Sequence, residues 1–153
     1  MQNSLNKKLI TIITVSKNAE ETLERCIKSV LSQKYQNIEY IIIDGDSSDR
    51  TKKIIDKYKS KISFVVSEKD NGIWDAMNKG IKMARGEIIG FLNADDFYYS
   101  DALFIVNNYF NDFKIDFLFG SVKKYKLLYG YKPWKIKFSF GFWIHTHWYE
   151  LVH

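Results

Sequence analysis

The sequence predicts an α/β fold in which a mostly parallel sheet is flanked by helices. Two patterns carry that expectation. Short β-branched runs are apolar from end to end, as strands buried on both faces are. Between them, apolar residues recur at helical spacing, so strand and helix alternate along the chain, and that order argues for parallel pairing. At 153 residues with 46% hydrophobic content, the chain suits one globular core.

LITIITV (9–15) reads as the first buried strand, closed by the polar SKNAEE. Leu23, Cys26, Ile27, Val30 and Leu31 then share one face of a helix. Cys26 lies on that face and reads as a buried structural thiol; a single cysteine forms no disulfide within the chain, which fits a reducing compartment. IEYIIID (38–44) is the second strand, followed by GDSSDRT, where Asp49 or Ser48 would cap a helix carrying Ile54, Ile55 and Tyr58. ISFVVS (62–67) is the third strand. Ile73, Ala76, Met77, Gly80, Ile81 and Ala84 form the stripe of the next helix, with Gly86 placed to end it. EIIGFLN (87–93) is the fourth strand, Ser100 would cap a helix with Leu103, Val106 and Phe110, and DFLFGSV (116–122) suits a fifth strand.

In open parallel sheets ligands bind outside the carboxyl ends of the strands. That rule selects 16–18, 44–48, 68–72 and 93–96. Asp95 and Asp96 stand out in FLNADDFY (91–98), because two like charges at the end of a buried strand oppose each other's ionisation. A hard divalent cation would offset them, and so would water at an exposed turn. Asp44 closes the second strand, either as a turn residue or as an acceptor for a ligand at the same edge. Asn71-Gly72 is a turn pair leading into a helix whose N-terminus suits phosphate.

Other chemistries lack their residues. No GxGxxG follows the first strand and no GxxxxGK[ST] occurs, so the usual dinucleotide and P-loop cradles are absent. DGDSSD is no calcium loop, since its glycine is misplaced and Ile55 stands where glutamate is needed. His145 and His147 form a weak metal pair without a third ligand. No signal peptide is expected from MQNSLNKKLITIITV, and no apolar run approaches the roughly 18 residues of a membrane span.

ITVSKN (13–18), IIIDGDSSDRT (41–51) and SEKDNGIWDAMNKGIKMARGEIIGFLNADD (67–96), in this order and spacing, resemble a family 2 glycosyltransferase of bacterial type. KPWKIKFSFGF (132–142) is similar to a later stretch of the same family. The resemblance implies the GT-A fold, a Rossmann-like sheet, and transfer of a sugar from a nucleoside-diphosphate sugar to an acceptor hydroxyl with inversion. By position, Val15, Ser16 and Lys17 would line the base, although the family's proline-threonine-tyrosine is replaced here. Asp44 would hydrogen-bond the base, Asp75 and Asn78 would lie near the ribose or base, Asp95 would contact the ribose or metal-bound water, and Asp96 would bind Mn2+ or Mg2+.

The family runs beyond this length, with acceptor contacts and an acidic general base in its second half. After Asp116 the only acid is Glu150, so no base is assigned. The expected organisation is a donor-binding core, 1–122, then a basic aromatic segment, 123–153, that begins an incomplete acceptor region of a truncated chain. From Phe117 to Tyr149 there is no acid, and Lys123, Lys124, Lys126, Lys132, Lys135 and Lys137 lie in that stretch. Such a segment suits a solvated or partner-covered face, a membrane surface or nucleic acid. The function expected is thus a metal-dependent glycosyltransferase of polysaccharide biosynthesis. Its rivals are a nucleotide-sugar-binding module that lacks turnover and a nucleic-acid-binding domain that uses the tail. The partners expected are a nucleoside-diphosphate sugar and a glycan or lipid-linked acceptor rather than nucleic acid, in the cytoplasm or against the inner membrane face.

Overall fold

The computed structural model describes residues 6–119 and the backbone of 142–145. Strand β1 (Ile10–Ser16), helix α1 (Leu23–Leu31), β2 (Ile38–Asp44), α2 (Thr51–Tyr58), β3 (Phe64–Ser67), α3 (Ile73–Met83), β4 (Ile88–Phe91), α4 (Ala102–Asp112), β5 (Phe117–Phe119) and β6 (Phe142–His145) follow in that order. The sheet order is β3-β2-β1-β4-β6-β5. β1 pairs in parallel with β2 and β4, β2 pairs in parallel with β3, and β6 runs antiparallel to both β4 and β5. The α/β architecture is therefore the one expected, with an antiparallel pair added at one side.

Alternation along the strands divides the core between two faces. Ile10 and Ile12 of β1, with Tyr40 and Ile42 of β2, pack under Leu23, Cys26, Ile27 and Val30 of α1, Ile55 of α2 and Leu103, Val106 and Phe110 of α4. Ile13 and Val15, with Ile41 and Ile43, pack against Ala76, Met77 and Ile81 of α3. Both faces are covered, which is why these strands are apolar throughout. Cys26 is buried as expected, and burial pushes its thiol up to about 11. No described helix is long and apolar enough to cross a membrane.

Several local expectations are corrected. β3 begins at Phe64 because a short 3-10 turn, Lys59–Lys61, precedes it, though Ile62 is still buried. Arg50 and Asp101, rather than Ser48, Asp49 or Ser100, occupy the N-cap positions of α2 and α4. Asp49 nevertheless accepts the Thr51 N–H at 2.9 Å, satisfying a first-turn donor from one residue further out. Ile73 falls outside the buried stripe, 47% exposed beside Trp74 at 76%. α3 ends at Met83 in the extended Ala84, and Gly86 does not supply a left-handed cap. Gly86 is needed for close approach instead, since a Cβ there would lie 2.6 Å from the Thr11 backbone nitrogen. β6 comes from the segment set apart as 123–153; the rest of that segment, with His147, lies outside the described residues, as does the side chain of His145.

At the amino end of the sheet Glu39 is only 3% exposed. It accepts hydrogen bonds from Thr11 Oγ1 at 2.7 Å, Arg85 N at 2.7 Å and Arg85 Nε at 2.6 Å. Burial pushes its carboxyl up, but the Thr11 and Arg85 bonds outweigh this and hold it below the usual 4.5. A depressed carboxylate contributes stability that is complete above the unfolded value and fades as pH falls through the folded one. The urea midpoint should therefore fall as the pH is taken down past the unfolded value and through the lower folded one, and Glu39→Gln should flatten that part of the drop. Equal acid slopes for the two proteins would show that this cluster contributes nothing.

Gly80 sets the distance between α3 and β1. A Cβ at Gly80 would come 2.5 Å from Ile13 Cγ2, a branch atom with no room to swing away. In an ordinary helix interior alanine is better than glycine by about 1 kcal/mol. Overpacking should reverse the sign here, so Gly80→Ala is expected to lower the unfolding free energy by about 1–3 kcal/mol in urea titration. A stabilised variant would mean that α3 lifts from the sheet without cost.

Candidate functional site

β1 is the strand at which the sheet order turns. Chain connections step outward from β1 through β2 to β3, then return to β4 on the other side of β1. Crevices open at the carboxyl ends of strands where the order reverses in this way. The parallel register carries Ser16 level with Asp44 and Ile13 level with Phe91, so the loops after β1, β2, β3 and β4 emerge along one edge. All four polar stretches selected from the sequence leave the sheet there.

Asp44 is fully buried at that edge. Its Oδ1 accepts from Ser16 Oγ at 3.2 Å and from Ser47 Oγ at 2.5 Å; its Oδ2 accepts from Ser47 N at 3.0 Å and Ser67 Oγ at 2.7 Å. The four lone-pair positions of the carboxylate are thus filled by three successive strand ends. Ser47 and Ser67 were not singled out from the sequence. Ser47 carries a local signal, a hydroxyl three residues after an aspartate in a turn; Ser67 carries none, because its partner is on the neighbouring strand.

The loop after β1 is laid against the loop after β2. Asn18 N donates to Ser47 Oγ at 2.9 Å, Ser48 N to Asn18 Oδ1 at 2.9 Å, and Ala19 N to Thr51 Oγ1 at 2.8 Å. Asn18 and Asp46 hold left-handed backbone, φ 49° and 58°, which Asn and Asp tolerate better than most residues. Val15 and Ser16 are buried, Lys17 is exposed, and the Ser16 carbonyl accepts Gly45 N at 2.8 Å.

The loop after β3 ends in a capped helix start. Gly72 has φ 110°, a conformation that suits glycine, and its N–H donates to Asp70 Oδ1 at 3.0 Å. Asp75 Oδ2 accepts Asn71 N at 3.0 Å. That bond, with Lys79 nearby, holds the Asp75 carboxyl below the usual carboxylate range. Asp75 is therefore a helix-start acceptor, and Asn78 is exposed one turn further on.

Asp95 and Asp96 are both exposed. They occupy a β-turn closed by Asp96 N donating to the Asn93 carbonyl at 3.0 Å. Water reaches both carboxylates, so the pair lies in the exposed turn that the sequence left open as one way to accommodate two like charges. Next to them Asn93 Oδ1 is buried and has no hydrogen-bond partner among the described residues. The donor set is all oxygen and suits Mg2+ or Mn2+ as a partial shell. Among the described residues no group of three or more His, Cys, Asp or Glu could hold a metal, so most of the shell would have to come from a ligand and water. Asp116, the last acid before the tail, is exposed just ahead of β5.

The sequence model described as "Glycosyl transferase family 2" matches residues 11–151. A UDP-Glc:alpha-D-GlcNAc-diphosphoundecaprenol beta-1,3-glucosyltransferase of Escherichia coli is 36% identical over 114 residues, covering 74% of this chain and 45% of that protein. The crystal structure of S. aureus TarS in complex with UDP-GlcNAc superposes with a TM-score of 0.62 at 22% identity, over 67% of this chain and 31% of that one. The glucosyl-3-phosphoglycerate synthase of Mycobacterium tuberculosis, in complex with Mn2+, UDP and phosphoglyceric acid, gives 0.61 at 19% identity, over 72% and 42%. The two structures share the fold. The chain spans under half the length of these proteins. The match over 11–151 settles the family: the chain belongs to glycosyl transferase family 2.

Proposed function

We propose that this chain is the donor-binding part of a metal-dependent glycosyltransferase that moves a sugar from a nucleoside-diphosphate sugar to an acceptor hydroxyl with inversion. The observation that carries this reading is the exposed Asp95-Asp96 turn at the sheet's reversal point, beside the loops that Asp44 gathers. Val15, Ser16 and Lys17 line the base. Its N–H takes the place of the longest donor on Asp44, Ser16 Oγ at 3.2 Å. Asp75 and Asn78 lie toward the ribose, and the start of α3 offers positive dipole to the diphosphate. Asp96, with Asp95 directly or through water, would hold Mn2+ or Mg2+. A cation there would offset the charge developing on the leaving nucleoside diphosphate.

The name of the Escherichia coli relative indicates a UDP-sugar donor and a lipid-diphosphate-linked glycan acceptor for that protein. We extend both classes to this chain, in polysaccharide biosynthesis at the cytoplasmic face of the membrane. The basic segment 123–153 would then meet anionic lipid.

Isothermal calorimetry with UDP, with and without Mn2+, tests the metal arm. Mn2+ should strengthen UDP binding by about tenfold or more, equivalent to about 1.4 kcal/mol, and Asp96→Ala should remove that gain. Equal UDP affinity with and without Mn2+ in the wild-type chain would overturn the metal reading.

Asp44→Ala reports on the base. Losing a hydrogen bond to a charged acceptor should weaken UDP binding by about 1.5–3 kcal/mol while the Mn2+ gain survives. It should also lower thermal stability, because three serine hydroxyls and the Ser47 N–H lose their acceptor. A destabilised variant that still folds and binds UDP unchanged would leave Asp44 as a turn residue only.

A further inference from the structure

The Asp95-Asp96 turn belongs to an irregular segment between β4 and α4, so its own backbone ladder does not hold it. α1 and the turn after it do. Cys26 Sγ lies 3.5 Å from the Asn93 carbonyl, Ser29 Oγ accepts Tyr98 N at 3.1 Å, and Gln33 Nε2 donates to the Tyr99 carbonyl at 2.7 Å. Lys34 N donates to the Ser100 carbonyl at 2.9 Å, and Gln33 Oε1 accepts Leu103 N at 3.1 Å. Cys26 and Ser29 share one face of α1 and Gln33 follows in the turn after it, so a core-packed helix and its end supply the template for a loop without regular structure. At the upper end of that face Arg25 is exposed. Its Nη2 donates to the Asp95 carbonyl at 2.9 Å, and its guanidinium lies 4.8 Å from the Phe97 ring centroid.

We infer that Arg25 is a positioning residue for the two aspartates: by clamping the Asp95 carbonyl and the Phe97 ring, it holds the carboxylates where a nucleoside-diphosphate-bound divalent cation is received. This rests on the donor-binding reading above. Arg25 makes both contacts at once through one planar guanidinium, an N–H on the carbonyl and the charge against the ring, a pairing that the compact point charge of lysine reproduces less well. The sign of its effect distinguishes positioning from electrostatics. A fixed positive charge beside a cation site repels the cation, so on charge alone its removal would strengthen metal binding. If the charge serves to hold the turn, removal weakens it.

The test compares wild type, Arg25→Met, Arg25→Lys and Phe97→Leu by UDP calorimetry with and without Mn2+, and by amide hydrogen exchange in residues 92–98. Arg25→Met is expected to cut the Mn2+-dependent gain in UDP affinity about fivefold, with metal-free UDP affinity within about twofold of wild type, since coupling energies of this size are typical. Exchange in 92–98, including the Asp96 amide, should accelerate. Arg25→Lys should restore only part of the gain, and Phe97→Leu should show a smaller loss of the same sign. An unchanged or larger Mn2+ gain in Arg25→Met overturns the inference, as does unchanged exchange. If the wild-type chain shows no Mn2+ gain at all, the donor-binding reading fails, and the exchange comparison alone then decides whether Arg25 holds the turn.

Discussion

The site edge depends on one buried carboxylate. Asp44 has no solvent exposure, and a carboxylate in that position is tolerated only when hydrogen-bond donors replace water. Those donors come from the ends of β1, β2 and β3. Meeting the electrostatic need of one group therefore draws three loops into one arrangement. The Asn18 and Ser47 bonds then lock the first two loops to each other, with two residues in left-handed backbone at the contact. A charge that would otherwise destabilise the sheet end becomes the reason its loops are ordered.

The two ends of the sheet use buried acids differently. At the amino end Glu39 meets Arg85 and Thr11, a self-contained cluster with a cation supplied by the chain. At the carboxyl end Asp44 meets only neutral donors, and Asp95 and Asp96 stand in water on the far side of β1. The loop bearing those aspartates has no ladder of its own, so its shape is borrowed from α1. The pairing of a hub at the β1–β3 ends with a turn at the β4 end divides the edge into a side built around Asp44 and a side templated by α1, where Arg25 bonds the Asp95 carbonyl.

Much of the architecture was legible because it rests on local periodicity. β2 was read with its observed bounds, and the buried face of α1 was read residue by residue, since 3.6 spacing and apolar continuity are properties of the chain itself. Helix starts were less legible: Asp49 does satisfy a first-turn N–H with one carboxylate oxygen, yet the helix begins beyond it, and its other oxygen accepts Glu20 N from the loop after β1, a contact no local pattern shows. Gly86 was misread as a cap because a glycine after a helix has two uses, positive φ and close approach, and only packing against Thr11 separates them. β6 was not read at all, since its place between β4 and β5 is a non-local pairing.

By itself the sequence determined the α/β alternation, the strands that carry it, and the acids that cluster at strand ends, because hydrophobic period and strand polarity act over a few residues. Tertiary structure alone decided where the sheet order turns, that Ser16 and Ser67 of the neighbouring strands complete the shell that Ser47 begins around Asp44, that Asp95 and Asp96 are solvated, and that Arg25 reaches the Asp95 carbonyl. Each of these depends on how segments far apart in the chain are placed, and no local pattern encodes a distance that only the packed sheet and helices set.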